Sequence, residues 1–110
     1  MSKKRAYKYS VPTGVAIIVQ GLCADYARRE RAIKYSAITG PLLARYVEIN
    51  AAIDTALEGV EPGIREELLR NIGSGCGYDA SDLCVLMSKN TYYARKRKVI
   101  VAIAHGLWLI

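Results

Sequence analysis

The sequence predicts an all-α fold of about five helices that ends in a helix-turn-helix, and three observations predict it. Apolar residues recur at steps of three, four and seven along three long stretches, the period of an amphipathic helix. No apolar alternation of strand length is present, nor a glycine-rich phosphate loop or an internal repeat. Helix start and stop signals separate the stretches, at Pro12, Thr39-Gly40-Pro41, Gly73, Ser81 and Ser88. With 110 residues, 52% of them hydrophobic, the chain is the size of one domain with a real core.

Taken in order, residues 1–10, MSKKRAYKYS, read as a flexible basic arm. Pro12 suits the first turn of a helix, with Ser10 or Val11 at the cap position. From there Val15, Ile18, Val19, Leu22, Tyr26 and Ile33 make one apolar stripe, so a single helix is expected to run into the basic segment RRERAIK. A second helix, from about Pro41 to Leu57, turns Leu43, Tyr46, Ile49, Asn50, Ile53, Ala56, Leu57 and Val60 inward. Residues 11–60 thus form an N-terminal helical pair. Residues 61–110 form the helix-turn-helix region, packed with that pair as one compact domain.

In that region IREELLRNIG is a third helix, with Ile64, Leu68, Leu69 and Ile72 inward and Gly73 as its stop. SGCGYD connects it to a two-turn fourth helix, SDLCVLM, capped by Asp79 or Ser81, whose apolar positions are Leu83, Val85 and Leu86. Ser88 caps the fifth, because its side-chain oxygen can accept from an otherwise unpaired backbone N–H. Tyr92, Val99, Ile100, Ile103, Ala104 and Leu107 make the inward stripe of this last helix.

Charge is unevenly distributed. Met1–Leu43 carries +6, Ala44–Asp82 carries −5 and Leu83–Ile110 carries +5, for a formal net charge of +6. Two basic ends around an acidic middle point to a polyanion as partner. The three cysteines are odd in number and lack CxxC spacing, and His105 is the one histidine, so no zinc site is expected. They read as thiols of a reducing cytosol. No signal peptide is evident, and the apolar run VIVAIAHGLWLI falls short of the roughly 20 residues that span a bilayer. A soluble intracellular protein without membrane contact is expected.

A short helix, a turn ending in serine and a long basic helix make the helix-turn-helix layout, in which the second helix enters the major groove by its N-terminal part. Lys89, Asn90, Tyr93, Lys96 and Arg97 are then the candidate base contacts. Asn suits adenine N6 and N7, and Arg or Lys suits guanine O6 and N7. Ser88, Thr91, Arg95 and Lys98 are assigned to phosphates, which fix register without reading sequence.

The stretch MSKNTYYARKRKVIVAIAHGLWLI resembles the C-terminal end of phage RinA/ArpU-type late transcriptional regulators, through Ser88, Thr91, Tyr92, Lys96, Arg97, Lys98, Ala104 and Leu107. Arg95 stands where that pattern carries an apolar residue. The family's C-terminal part is similar to the sigma-factor region-four helix-turn-helix, so the resemblance covers roughly Ile64 to Ile110. It implies a sequence-specific duplex-DNA-binding regulator of phage or prophage genes, acting in the cytoplasm of a bacterial host; RNA polymerase is a partner on which the apolar end, Leu107 to Ile110, would dock in the interaction-module alternative.

Two alternatives belong to other classes. A small terminase-like packaging component is also small, basic and helical. A helical interaction module would instead use the apolar end, Leu107 to Ile110, on a partner or in a homodimer seam. An enzyme is not expected, nor a cofactor. Glu66 and Glu67 point in different directions on a helix, and only Cys76 with His105 could form a nucleophile–base pair.

Overall fold

Separate amphipathic helices must find their apolar partners on one another. The computed structural model describes residues 8–110, and five α-helices do this in it. They are α1 (Thr13–Ala24), α2 (Tyr26–Lys34), α3 (Gly40–Leu57), α4 (Arg65–Ser74) and α5 (Lys89–Gly106). Short 3-10 turns lie at Lys8–Ser10, Pro62–Ile64, Tyr78–Ala80 and Asp82–Val85, and no strand occurs among the described residues. Helix α1 packs on α4, α2 on α3 and α3 on α5. The fully buried Val19, Ile53, Leu68, Tyr92, Val99 and Ile103 join α1, α3, α4 and α5 in one core.

The all-α fold with five helices stands, but the five are distributed differently from the expectation. The first helix breaks at Asp25 (φ −97°, ψ 2°), giving α1 and α2 in place of one run to Ile33. Arg29 explains how the break is held. It is 2% exposed, its Nε donates to Asn50 Oδ1 at 2.7 Å, and its terminal nitrogen donates to the Leu22 carbonyl. A guanidinium is buried at tolerable cost only when hydrogen-bonded in this way. Asn50 Nδ2 completes the junction by donating to the Tyr26 carbonyl at 3.3 Å. Within RRERAIK, Arg29 is therefore a structural link between α1, α2 and α3. Ile18, expected in the inward stripe, is 48% exposed, while Val19 and Cys23 carry the buried face of α1.

Helix α3 follows the expectation closely. Asn50, Ile53, Ala56 and Leu57 are buried, and so is Val60 just past the helix end. Helix α4 stops at Gly75, whose φ of +73° is the left-handed conformation that glycine adopts without penalty, rather than at Gly73. Gly73 has another task. A Cβ there would lie 2.8 Å from the backbone N and Cα of Ala24, so the glycine lets α4 cross the end of α1.

Two further corrections concern the segments around α5. SDLCVLM, the expected first helix of the helix-turn-helix, is not a two-turn α-helix but one 3-10 turn, Asp82–Val85, so that helix pair is not formed; Ser81 Oγ accepts the Leu83 amide at 3.0 Å. So short a segment gains too few hydrogen bonds to offset helix nucleation. Only Leu83 of its three apolar positions is buried; Val85 and Leu86 face water. The basic arm also ends earlier than residue 10. Lys8–Ser10 forms a 3-10 turn docked on α5, and Val11 is fully buried. The rest of the arm, residues 1–7, lies outside the described residues.

Candidate nucleic-acid interface

Helix α5 starts as the serine predicts. Ser88 Oγ accepts the Thr91 amide at 3.2 Å and lies 3.0 Å from Thr91 Oγ1, so both hydroxyls belong to the cap. Of the five helices only α4 has acidic residues, Glu66 and Glu67, in its first turn; α1, α2 and α3 have none there. The first turn of α5 has no acidic residue and carries Lys89 instead. Its positive end is therefore reinforced rather than neutralised, a local cost that an anionic ligand would offset.

Four of the sequence-predicted contact residues stand ready on this helix. Lys89, Asn90, Arg97 and Lys98 are exposed. Asn90 and Arg97 are seven residues apart, so they share a face and are separated by about 10 Å along the axis. Among the described residues, Lys89, Arg97 and Lys98 form no ion pair.

The other predicted contacts are engaged within the fold. Lys96 is 3% exposed, not on the outer face. Its Nζ donates to the Cys76 carbonyl at 2.7 Å and lies 5.5, 5.3 and 5.8 Å from the ring centres of Tyr9, Tyr92 and Tyr93. The reason is helical phase: Tyr92, Lys96, Val99 and Ile103 succeed one another at steps of four and three, which is the buried stripe. Tyr93 is half-buried, and its hydroxyl accepts the Tyr78 amide at 3.2 Å. Arg95 grips Glu61 with two bonds of 2.9 and 3.3 Å, tying α5 to the loop before α4. That contact holds the Glu61 carboxyl below the usual carboxylate range.

A buried polar network sets the pose of α5. Tyr92 Oη reaches Asn71 Oδ1 at 3.1 Å and the Cys76 carbonyl at 3.2 Å, and burial raises its phenol pKa. Ser81 Oγ also bonds Asn71 Oδ1, while Asn71 Nδ2 donates to Glu67 Oε2 at 2.8 Å. Every atom in this network belongs to α4, α5 or the segment between them. Its satisfaction fixes how the helix is presented.

Sequence reading missed two features here. Val85 and Leu86 stand 83% and 67% exposed immediately before the Ser88 cap. Tyr78 braces that turn, with its hydroxyl 3.0 Å from the Cys84 carbonyl and 2.8 Å from that of Met87. A tyrosine in a glycine-rich connection was the available signal.

Cys76 meets α5 at Tyr92 and Lys96, whereas His105 lies about 13 Å further along the helix, so nucleophile and base do not meet. Among the described residues no group of three metal-ligating side chains occurs and no helix is long and apolar enough to cross a membrane. Comparison with known proteins returns no match to a family model, a curated protein or a solved structure. The reading of function rests on the chain's own residues.

Proposed function

We propose that this chain is a sequence-specific duplex-DNA-binding transcriptional regulator of phage or prophage genes, acting without catalysis in the cytoplasm of a bacterial host. It reads the major groove with α5. The observation that carries this reading is the exposed set Lys89, Asn90, Arg97 and Lys98, on a serine-capped helix whose positive end no acidic residue neutralises. Lys89, Asn90 and Arg97 contact base edges; Ser88 and Lys98 hold phosphates. Tyr93 and Lys96 orient the helix from within, Thr91 completes its cap, and Arg95 braces it through Glu61.

Fluorescence anisotropy with random and phage-derived duplexes tests this directly. One duplex should be preferred by at least roughly 10³-fold. Asn90→Ala should relax the preference at one base pair, by about 1–3 kcal/mol, without equal loss on other sequences. Uniform weak binding by the parent protein would sink the proposal. The second reading, a protein-interaction module, draws on Trp108, which is 87% exposed, and Ile110 beside it at 45%.

A further inference from the structure

Val85 and Leu86 are apolar side chains standing in water next to a cationic helix, at 83% and 67% exposure. Their turn is braced on both sides. Leu83 is buried beneath it, Ser81 Oγ accepts the Leu83 amide, and Tyr78 Oη reaches the carbonyls of Cys84 and Met87. Tyr78 in turn sits edge-on to the buried Tyr92, with ring centres 5.5 Å apart. The two apolar side chains are therefore held out in a defined place, directly ahead of the exposed Lys89 and Asn90.

The surroundings select the occupant. After the turn the chain has five basic residues and no acidic one, while the exposed Asp82 opens the turn itself and Asp79 precedes it. An apolar protein surface would cover Val85 and Leu86 but strand the neighbouring cations against it. The major groove of DNA meets both demands, because thymine presents an apolar C5-methyl group between two rows of phosphates.

We infer that Val85 and Leu86 read thymine methyl groups beside the base pair contacted by Asn90. This rests on the DNA-reading function proposed above, and it names the sequence class read: a thymine step abutting the adenine that an asparagine suits.

The test uses the full chain and a duplex it selects from a random pool. Each thymine is replaced singly by deoxyuridine, which removes the methyl group alone. At one or two neighbouring positions the affinity should fall roughly three- to tenfold, the scale of one buried methyl. In the Val85→Ser/Leu86→Ser double variant, thymine and uracil duplexes should bind alike, with the helical circular dichroism of the parent. A selected duplex that tolerates every uracil, or a difference that survives in the double variant, overturns the methyl reading while DNA reading stands. If the pool yields no preferred duplex, the proposed function fails first and this inference with it.

Discussion

Polar groups decide the most at the scale of single residues. Among the described residues Lys96 and Arg29 are the two buried cations, 3% and 2% exposed, and each is held by a carbonyl that the fold brings to it. Residue type argues for the surface, and spacing argues for the core. Spacing wins in both because burying the long alkyl stem pays once the head is hydrogen-bonded. Cys23 makes the residue-scale prediction. Burial pushes its thiol up to about 12, while Cys76 and Cys84 are partly exposed. In the native protein at pH 8, iodoacetamide should modify Cys76 and Cys84 and spare Cys23. Between the ordinary thiol value of roughly 8.5 and 12, the unfolded chain loses that proton and the folded chain keeps it. Stability should accordingly fall as pH rises through this window, and less steeply in Cys23→Ala. An equal slope in the variant, read by urea unfolding, would refute the assignment.

Elements show where local rules gave way to packing. The apolar period of the first stretch continues through Asp25, yet α1 packs on α4 and α2 on α3. One straight helix cannot serve both neighbours. Gly73 illustrates the same dependence on neighbours. In isolation, glycine inside a helix costs about 1 kcal/mol relative to alanine, so Gly73→Ala would be expected to stabilise. Here the new Cβ would meet Ala24 backbone atoms at 2.8 Å, and backbone cannot swing aside as a side-chain tip can. The overpacking cost of about 1–3 kcal/mol then exceeds the propensity gain. Gly73→Ala should lower the urea midpoint; a raised midpoint would mean that α1 and α4 are not in this contact.

The whole molecule, 43 × 37 × 20 Å, sets its charges side by side rather than end to end. Helices α3 and α5 run antiparallel, with Gly59 beside Lys98 and Gly106 beside Ala52. Glu61, in the loop after α3, therefore flanks α5 and engages Arg95. Of the exposed cations of α5, Lys89 and Arg97 are the proposed base contacts, while Lys98 lies beside Gly59 at the end of α3. One cationic phosphate contact, Lys98, predicts a slope of log K against log salt of about −0.9, far less than the total of basic residues suggests. Lys98→Ala should reduce its magnitude by about 0.9. Lys96→Met should leave the slope unchanged and lower the melting temperature instead. A steeper slope in the parent would assign further phosphate contacts to cations elsewhere in the chain. A reversed pattern in the two variants would contradict the placement of both lysines.

By itself the sequence determined the helical class, the inward faces of α3 and α5, and the serine that starts α5. These follow from periodicity and from cap chemistry within a few residues, and both are local. It also put Lys89, Asn90 and Arg97 on the outer face of α5, where they are exposed. Only the tertiary structure decided that α1 and α2 are separate and that SDLCVLM closes as one 3-10 turn. It likewise turned Lys96 inward and Val85 and Leu86 outward. Those outcomes depend on partners remote in the chain: Asn50 for Arg29, Tyr78 for the turn, the Cys76 carbonyl for Lys96. A side chain's burial is settled by the hydrogen bonds and volume its neighbours supply, and those neighbours exist only once the chain has folded.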